Sequence, residues 1–161
     1  MFLAMNSNSM TKTIIFLCHG NICRSPMAEF MMKDLMQKEN LTGYNIISRA
    51  TSAEEIGNDL YYQAKEILKV KGVPFTPHTA KRITREDIAS AYLIIAMEHY
   101  NIVNLKRLYP DLKMDNVKLL NPNDISDPWY NGDFLTCYKE IEIGLKNLIK
   151  KLKAEPNANL I

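Results

Sequence analysis

Short apolar runs alternate along this chain with longer amphipathic stretches, and the length and flanks of each run indicate its element. Residues 13–17, Thr-Ile-Ile-Phe-Leu, are a continuous β-rich run, the kind of strand buried on both faces of a parallel sheet. They lead into Cys18-His19-Gly20-Asn21, a turn-forming segment. Met27, Met31 and Leu35 share one helical face and predict a helix from about residue 25 to 38. Pro26 falls in its first turn, where a missing N–H leaves no bond unmade. Residues 44–48 read as a short second strand. Leu60, Ala64, Ile67 and Leu68 line one face of a helix over 60–71, and Gly72 stops it. Two prolines make 73–81 an extended connection, and Thr84 opens a short helix with an acidic first turn. Strand 92–97, helix 98–108 and strand 117–120 follow. Residues 121–133, rich in Asn, Asp, Pro and Gly, predict a long loop. Phe134, Tyr138, Ile141, Leu145, Leu148 and Leu152 then mark a closing helix.

Strands alternating with helices imply an α/β fold, a parallel sheet covered by helices, because right-handed crossovers lay helices over it. Ligands in such folds sit beyond the C-terminal ends of the strands. Cys18 lies at one such end and Asp127 just beyond another. The pattern assigns residues 11–153 to a single domain. It leaves 1–10 as a disordered leader, with Met10 a plausible first residue, and 154–161 as a frayed tail.

Composition narrows the function by exclusion. Lys plus Arg is 20 against 18 for Asp plus Glu, a net charge of +2 that gives no reason to expect nucleic acid or a membrane surface as partner. Recognition of an anion must come from a local site. Three cysteines cannot close a disulfide framework, so a reducing compartment is the simpler reading. No apolar run approaches the roughly 18 residues of a membrane span. The expectation is a soluble, cytoplasmic monomer. His19, His78 and His99 have no helical i, i+4 partner, so no metal site and no cofactor are expected.

The segment Cys18-His19-Gly20-Asn21-Ile22-Cys23-Arg24-Ser25-Pro26 carries the chemistry. It joins a buried strand to a helix N-terminus, where free N–H groups and the helix dipole favour an anion. Successive N–H groups wrapped round one point form a nest for a tetrahedral oxyanion. Gly20 lets the chain bend, and Asn21 tolerates left-handed backbone angles. Arg24 returns its planar fork to the same anion, holding two oxygens as Lys cannot. Cys18 sits at the floor, and the positive surroundings favour its thiolate. Ser25 is suited either to hydrogen-bond that thiolate or to cap the helix. A cysteine taken alone is more often a small core residue. The conjunction of strand, Cys, Gly, Arg, Ser and helix argues against that reading.

Residues 18–29, Cys-His-Gly-Asn-Ile-Cys-Arg-Ser-Pro-Met-Ala-Glu, resemble the active-site signature of the low-molecular-weight protein tyrosine phosphatases. Further pieces are similar: Arg49-Ala50-Thr51-Ser52, His78 with Ala80-Lys81-Arg82, and Asp127-Pro128-Trp129-Tyr130. The resemblance runs from about residue 13 to 152. It implies a four-stranded parallel sheet with helices on both faces, a Rossmann-like phosphatase fold with a Cys-x5-Arg phosphate loop after the first strand. It also implies a metal-free reaction in two steps. Cys18 attacks phosphorus, Arg24 stabilises the charge on the equatorial oxygens, and Asp127 protonates the departing tyrosine oxygen and later activates water. The substrate is then a phosphotyrosine protein or a small aryl phosphate, and inorganic phosphate is the product. Asn21 shapes the loop and His78 hydrogen-bonds to its network. Cys23 either pairs reversibly with Cys18 or packs behind the loop. Trp129 and Tyr130 are walls for a phenyl ring, though Trp129 equally suits packing against its own loop.

Two residues depart from the family pattern. His19 stands where a small or aliphatic residue is commoner, and Glu54 where relatives often carry an apolar pocket residue. A carboxylate there would repel acidic peptides and alter substrate preference. Rival readings share the loop. A phosphoarginine phosphatase comes second, because Ile22 beside the nucleophile suits a phenyl ester better than a guanidinium. An arsenate reductase needs more cysteines downstream than Cys137. A non-hydrolytic phosphate-binding or phosphocarrier module has no need of Asp127.

Overall fold

The computed structural model describes residues 11–155. Four parallel strands, β1 Lys12–Cys18, β2 Tyr44–Ala50, β3 Ala91–Ala96 and β4 Val117–Leu119, form one sheet in the order β2-β1-β3-β4. Six helices connect and cover them: α1 Arg24–Lys38, α2 Tyr62–Val70, α3 Arg85–Ser90, α4 His99–Leu108, α5 Pro128–Asn131 and α6 Phe134–Ala154.

The place of β1 in the sheet explains why its sequence is apolar from Ile14 onward. It pairs with β2 on one side, Ile14 opposite Ile46 and Cys18 opposite Ala50, and with β3 on the other, Ile15 opposite Ile94. Successive side chains point to opposite faces. Ile14 and Phe16 enter a core with Met27 and Met31 of α1, Leu68 of α2 and Ile141 and Leu145 of α6. Ile15 and Leu17 enter a second core with Ile83, Ile88 of α3 and Leu105 of α4. Helices therefore cover both faces of the sheet.

The differences from the sequence expectations are local. α1 begins at Arg24, so Ser25 lies inside its first turn and is not the cap; the cap position falls to Cys23, which makes no side-chain capping bond. α2 starts at Tyr62, two residues later than its apolar face suggests. The long loop contains a helical turn, α5: Asp127 Oδ1 accepts from Trp129 N–H at 3.0 Å, and Gly132 at φ 72° closes the turn. That side-chain bond and Pro128 at the first helical position give a loop sequence a local reason to coil. α6 runs through Ala154, and Glu155 accepts a 2.6 Å bond from the Tyr92 hydroxyl, so the first two residues of the expected tail belong to the fold. The rest of that tail and residues 1–10 lie outside the described residues. Asn21 takes the left-handed angle it was expected to tolerate, φ 61°.

Candidate active site

β1 ends at Cys18, and residues 19–23 turn the chain before α1 starts. The bonding of this loop's carbonyls sets where its amides point. The carbonyl of Cys18 accepts from Thr51 N–H, that of His19 from Ser52 N–H, and that of Ile22 from Tyr61 N–H. The Asn21 carbonyl faces His78 Nε2 at 2.7 Å; a carbonyl only accepts, so Nε2 carries the proton. In a trans peptide the N–H of the next residue points opposite to the carbonyl. With four carbonyls tied outward, the N–H groups of residues 19, 20, 22 and 23 turn inward, toward the cleft this loop lines.

Asn21 locks the shape. Lys81 N–H donates to its Oδ1 at 3.0 Å, which fixes the amide so that Nδ2 donates to Ser48 Oγ at 2.9 Å and to Ser25 Oγ at 2.8 Å. The Ser48 hydroxyl passes its proton bond on to Glu29 Oε1 at 2.7 Å. Ser25 Oγ, having accepted from Asn21, keeps its own proton for Cys18 Sγ at 3.0 Å, nearer than the Arg49 carbonyl at 3.4 Å. Cys18 Sγ also receives Asn21 N–H at 3.3 Å. The sulfur is 3% exposed and faces donors on two sides.

Arg24 is a buried charge, 1% exposed. Its Nη1 donates to the Ile125 carbonyl at 2.7 Å, and its Nη2 meets Glu98 Oε2 at 2.7 Å and Asp127 Oδ2 at 3.3 Å. Burial alone would push the guanidinium's pKa down; the neighbouring Cys18, Asp127 and Glu98 outweigh it and hold it above its ordinary value. Part of the fork expected to face an anion is thus committed to the protein, and those bonds fix its orientation.

The cleft has a volume of about 190 Å³. It is lined by residues 18–24, by Glu54 and Glu55, and by Asp127, Trp129 and Tyr130. The expected site residues are therefore gathered in one place, with Ser25 and His78 behind the loop. Trp129 lines the cleft and packs edge-on against Tyr61, outside its own loop, ring centroids 4.8 Å apart. His19 Nε2 lies 3.3 Å from Glu54, so the two departures from the family pattern meet each other. All three cysteines are free thiols. Burial, with Cys18 and Asp127 nearby, pushes the Cys23 thiol up, and burial pushes Cys137 up to about 12. Neither is a thiolate at neutral pH.

Sequence reasoning missed Glu98, Glu55, Tyr61 and Ser48. Glu98 lies beside the end of β3, where sheet topology could have flagged it. Glu29 stood in the quoted motif without a role. Among the described residues, no group of three His, Cys, Asp or Glu side chains is placed to hold a metal ion, and no helix is long and apolar enough to cross a membrane.

A parallel sheet whose first strand turns through a Cys-x5-Arg loop into a helix defines a phosphate-handling α/β protein. The family model "low molecular weight phosphotyrosine protein phosphatase" matches residues 13–158. The protein of that name from Pongo abelii is 38% identical over 141 residues, spanning 81% of this chain and 89% of the relative. The crystal structure of a low molecular weight protein tyrosine phosphatase from Streptococcus pyogenes superposes with a TM-score of 0.84 at 33% identity, over 92% of this chain and 98% of that one. A Drosophila arginine phosphatase superposes at 0.81 with 25% identity, over 90% and 99% of the two chains. The chain belongs to the low molecular weight phosphotyrosine protein phosphatase family.

Proposed function

We propose that the protein hydrolyses phosphotyrosine monoesters through a cysteinyl-phosphate at Cys18. The observation that carries this is the meeting of Cys18, Arg24 and Asp127 in one cleft, although Arg24 and Asp127 stand 103 residues apart in the chain. In the first step Cys18 Sγ attacks phosphorus and the bond to the tyrosine oxygen breaks. Asp127 donates its proton to that oxygen, so tyrosine leaves neutral. The inward amides and Arg24 offset the charge on the three equatorial oxygens. In the second step water attacks phosphorus, Asp127 takes its proton, and inorganic phosphate departs. The sulfur leaves as thiolate, steadied by the Ser25 hydroxyl.

Ile22 lines the cleft and favours an aryl group over a guanidinium. Glu54 and Glu55, which line the same cleft, are what supports the second reading, phosphoarginine. The working unit in this proposal is one domain, residues 11–153, acting as a cytoplasmic monomer without nucleic acid or membrane. The free thiols suit a reducing compartment. Purified protein should turn over para-nitrophenyl phosphate without added metal and phosphotyrosine faster than phosphoarginine. The Cys18→Ser protein should lose turnover yet still bind a phosphate analogue. Full activity in Cys18→Ser would refute the mechanism, and faster phosphoarginine hydrolysis would reverse the choice of substrate.

A further inference from the structure

The protein has five arginines. Arg24 faces Glu98 and Asp127, Arg49 faces Asp87, and Arg85 faces Asp111. Among the described residues, Arg82 and Arg107 form no ion pair, and both line one cavity of about 250 Å³. Its wall also includes His19, Thr51, Ser52 and Asn104.

Three acceptors in that wall are already used. The Thr51 carbonyl is taken by Arg82 Nε at 2.9 Å, Ser52 Oγ by Glu54 N–H at 2.9 Å, and Asn104 Oδ1 by Arg107 Nη1 at 3.3 Å. What remains are donors: guanidinium N–H groups, the Ser52 hydroxyl proton and the Asn104 amide. Thr51 Oγ1 is the one buried side-chain oxygen or nitrogen without a hydrogen-bond partner among the described residues. A donor-rich wall with two guanidinium groups that face no carboxylate suits a carboxylate or phosphate.

The cavity adjoins the cleft. His19 lines both, and the backbone bonds from Thr51 and Ser52 to the Cys18 and His19 carbonyls hold the two together. We propose that this cavity is a second oxyanion site, filled by a carboxylate or phosphate that the substrate chain carries beside its phosphotyrosine, or by free inorganic phosphate. The substrate-borne form rests on the phosphatase reading above.

Two arms separate the sources. The first compares kcat/KM for a phosphotyrosine peptide flanked by glutamates with that for the same peptide flanked by alanines. Although Glu54 in the adjoining cleft opposes acidic chains, the two guanidinium groups should outweigh it, so the unaltered protein should prefer the acidic peptide by roughly three- to tenfold at low salt, the scale of a few exposed ion pairs, and lose the preference in high salt. Arg107→Ala should bring the ratio close to one. Arg82→Ala should do the same, but Arg82 also holds the Thr51 carbonyl, so Arg107→Ala decides if the other variant misfolds. The second arm titrates inorganic phosphate and follows backbone amide shifts. Shifts at residues 51–52 and 104–107, separate from those at 18–24 and lost in Arg107→Ala, identify a site for free phosphate. An acidic-peptide preference that Arg107→Ala removes identifies the substrate as the source. If the protein shows no acidic-peptide preference that Arg107→Ala removes and no phosphate shifts at residues 51–52 and 104–107, the proposal is overturned. Hydrolysis of para-nitrophenyl phosphate by the unaltered protein reads the cleft alone. If that hydrolysis fails, the phosphatase reading fails, and the phosphate titration decides the second site.

Discussion

Asp127 does two jobs with its two oxygens, and Asp127→Asn separates them. Oδ1 accepts the Trp129 N–H that starts α5, and Oδ2 faces Arg24 at 3.3 Å. Alanine would remove both, and loss of such a cap costs about 1 kcal/mol, enough to loosen the turn that carries Trp129 and Tyr130. Asparagine keeps an oxygen for Trp129 and roughly the same volume, but it has no proton to give a leaving group. A positioned general acid contributes about 10²- to 10⁴-fold, so kcat for phosphotyrosine should fall by that much. An aryl ester whose phenol leaves readily as its anion needs less help and should lose about tenfold at most, below the range a general acid supplies. The assay is kcat across aryl phosphates of decreasing phenol basicity. The native enzyme should be nearly indifferent to the leaving group, and Asp127→Asn should depend on it steeply. Equal losses along the whole series would mean that Asp127 is only a cap, and that the acid lies elsewhere.

Ser25→Ala removes the hydroxyl that reaches Cys18 Sγ at 3.0 Å. A hydrogen bond to a charged group is worth about 1.5–3 kcal/mol, so the step in which the thiolate leaves should slow by roughly ten- to a hundredfold. Stopped-flow records should show a burst of phenol followed by a slow steady state; a uniform loss without a burst would place Ser25 in the first step. Phe16→Ala hollows the core beneath the loop and should cost about 3–5 kcal/mol in chemical denaturation. Stability should also fall at high pH through Tyr92, whose hydroxyl donates to Glu155 and, chiefly for that reason, is pushed up to about 12. The unfolded chain loses this proton near pH 10 and the folded one only near 12, so the contribution is complete below pH 10 and disappears across that window. Tyr92→Phe should flatten the stability profile there; an unchanged profile would deny the coupling.

What the sequence disclosed was local. The apolar run of β1, the loop after it and the first turn of α1 lie within one stretch of chain, so spacing alone places Cys18, Asn21 and Arg24 together. Asp127 needed the resemblance, because an aspartate in a polar loop ordinarily turns the chain, and here it also does that by capping α5. Glu98 left no trace in spacing. Its pairing with Arg24 arises only when β1 and β3 become neighbours in the sheet. The left-handed angle that Asn21 was expected to tolerate is there, and its side chain makes enough bonds to hold it, to partners that spacing did not reveal. The paired openness of Arg82 and Arg107 was equally invisible, since a connection and the end of a helix supply one each.

β1 carries the nucleophile between two packed cores, while Tyr130 on the facing turn is 81% exposed. The catalytic pit therefore has little freedom to drift without unfolding the protein, and changes in diet must be written on its lip. An inhibitor gripping the pit alone would treat every bearer of this loop alike; discrimination belongs to molecules that also touch Glu54 or Tyr130.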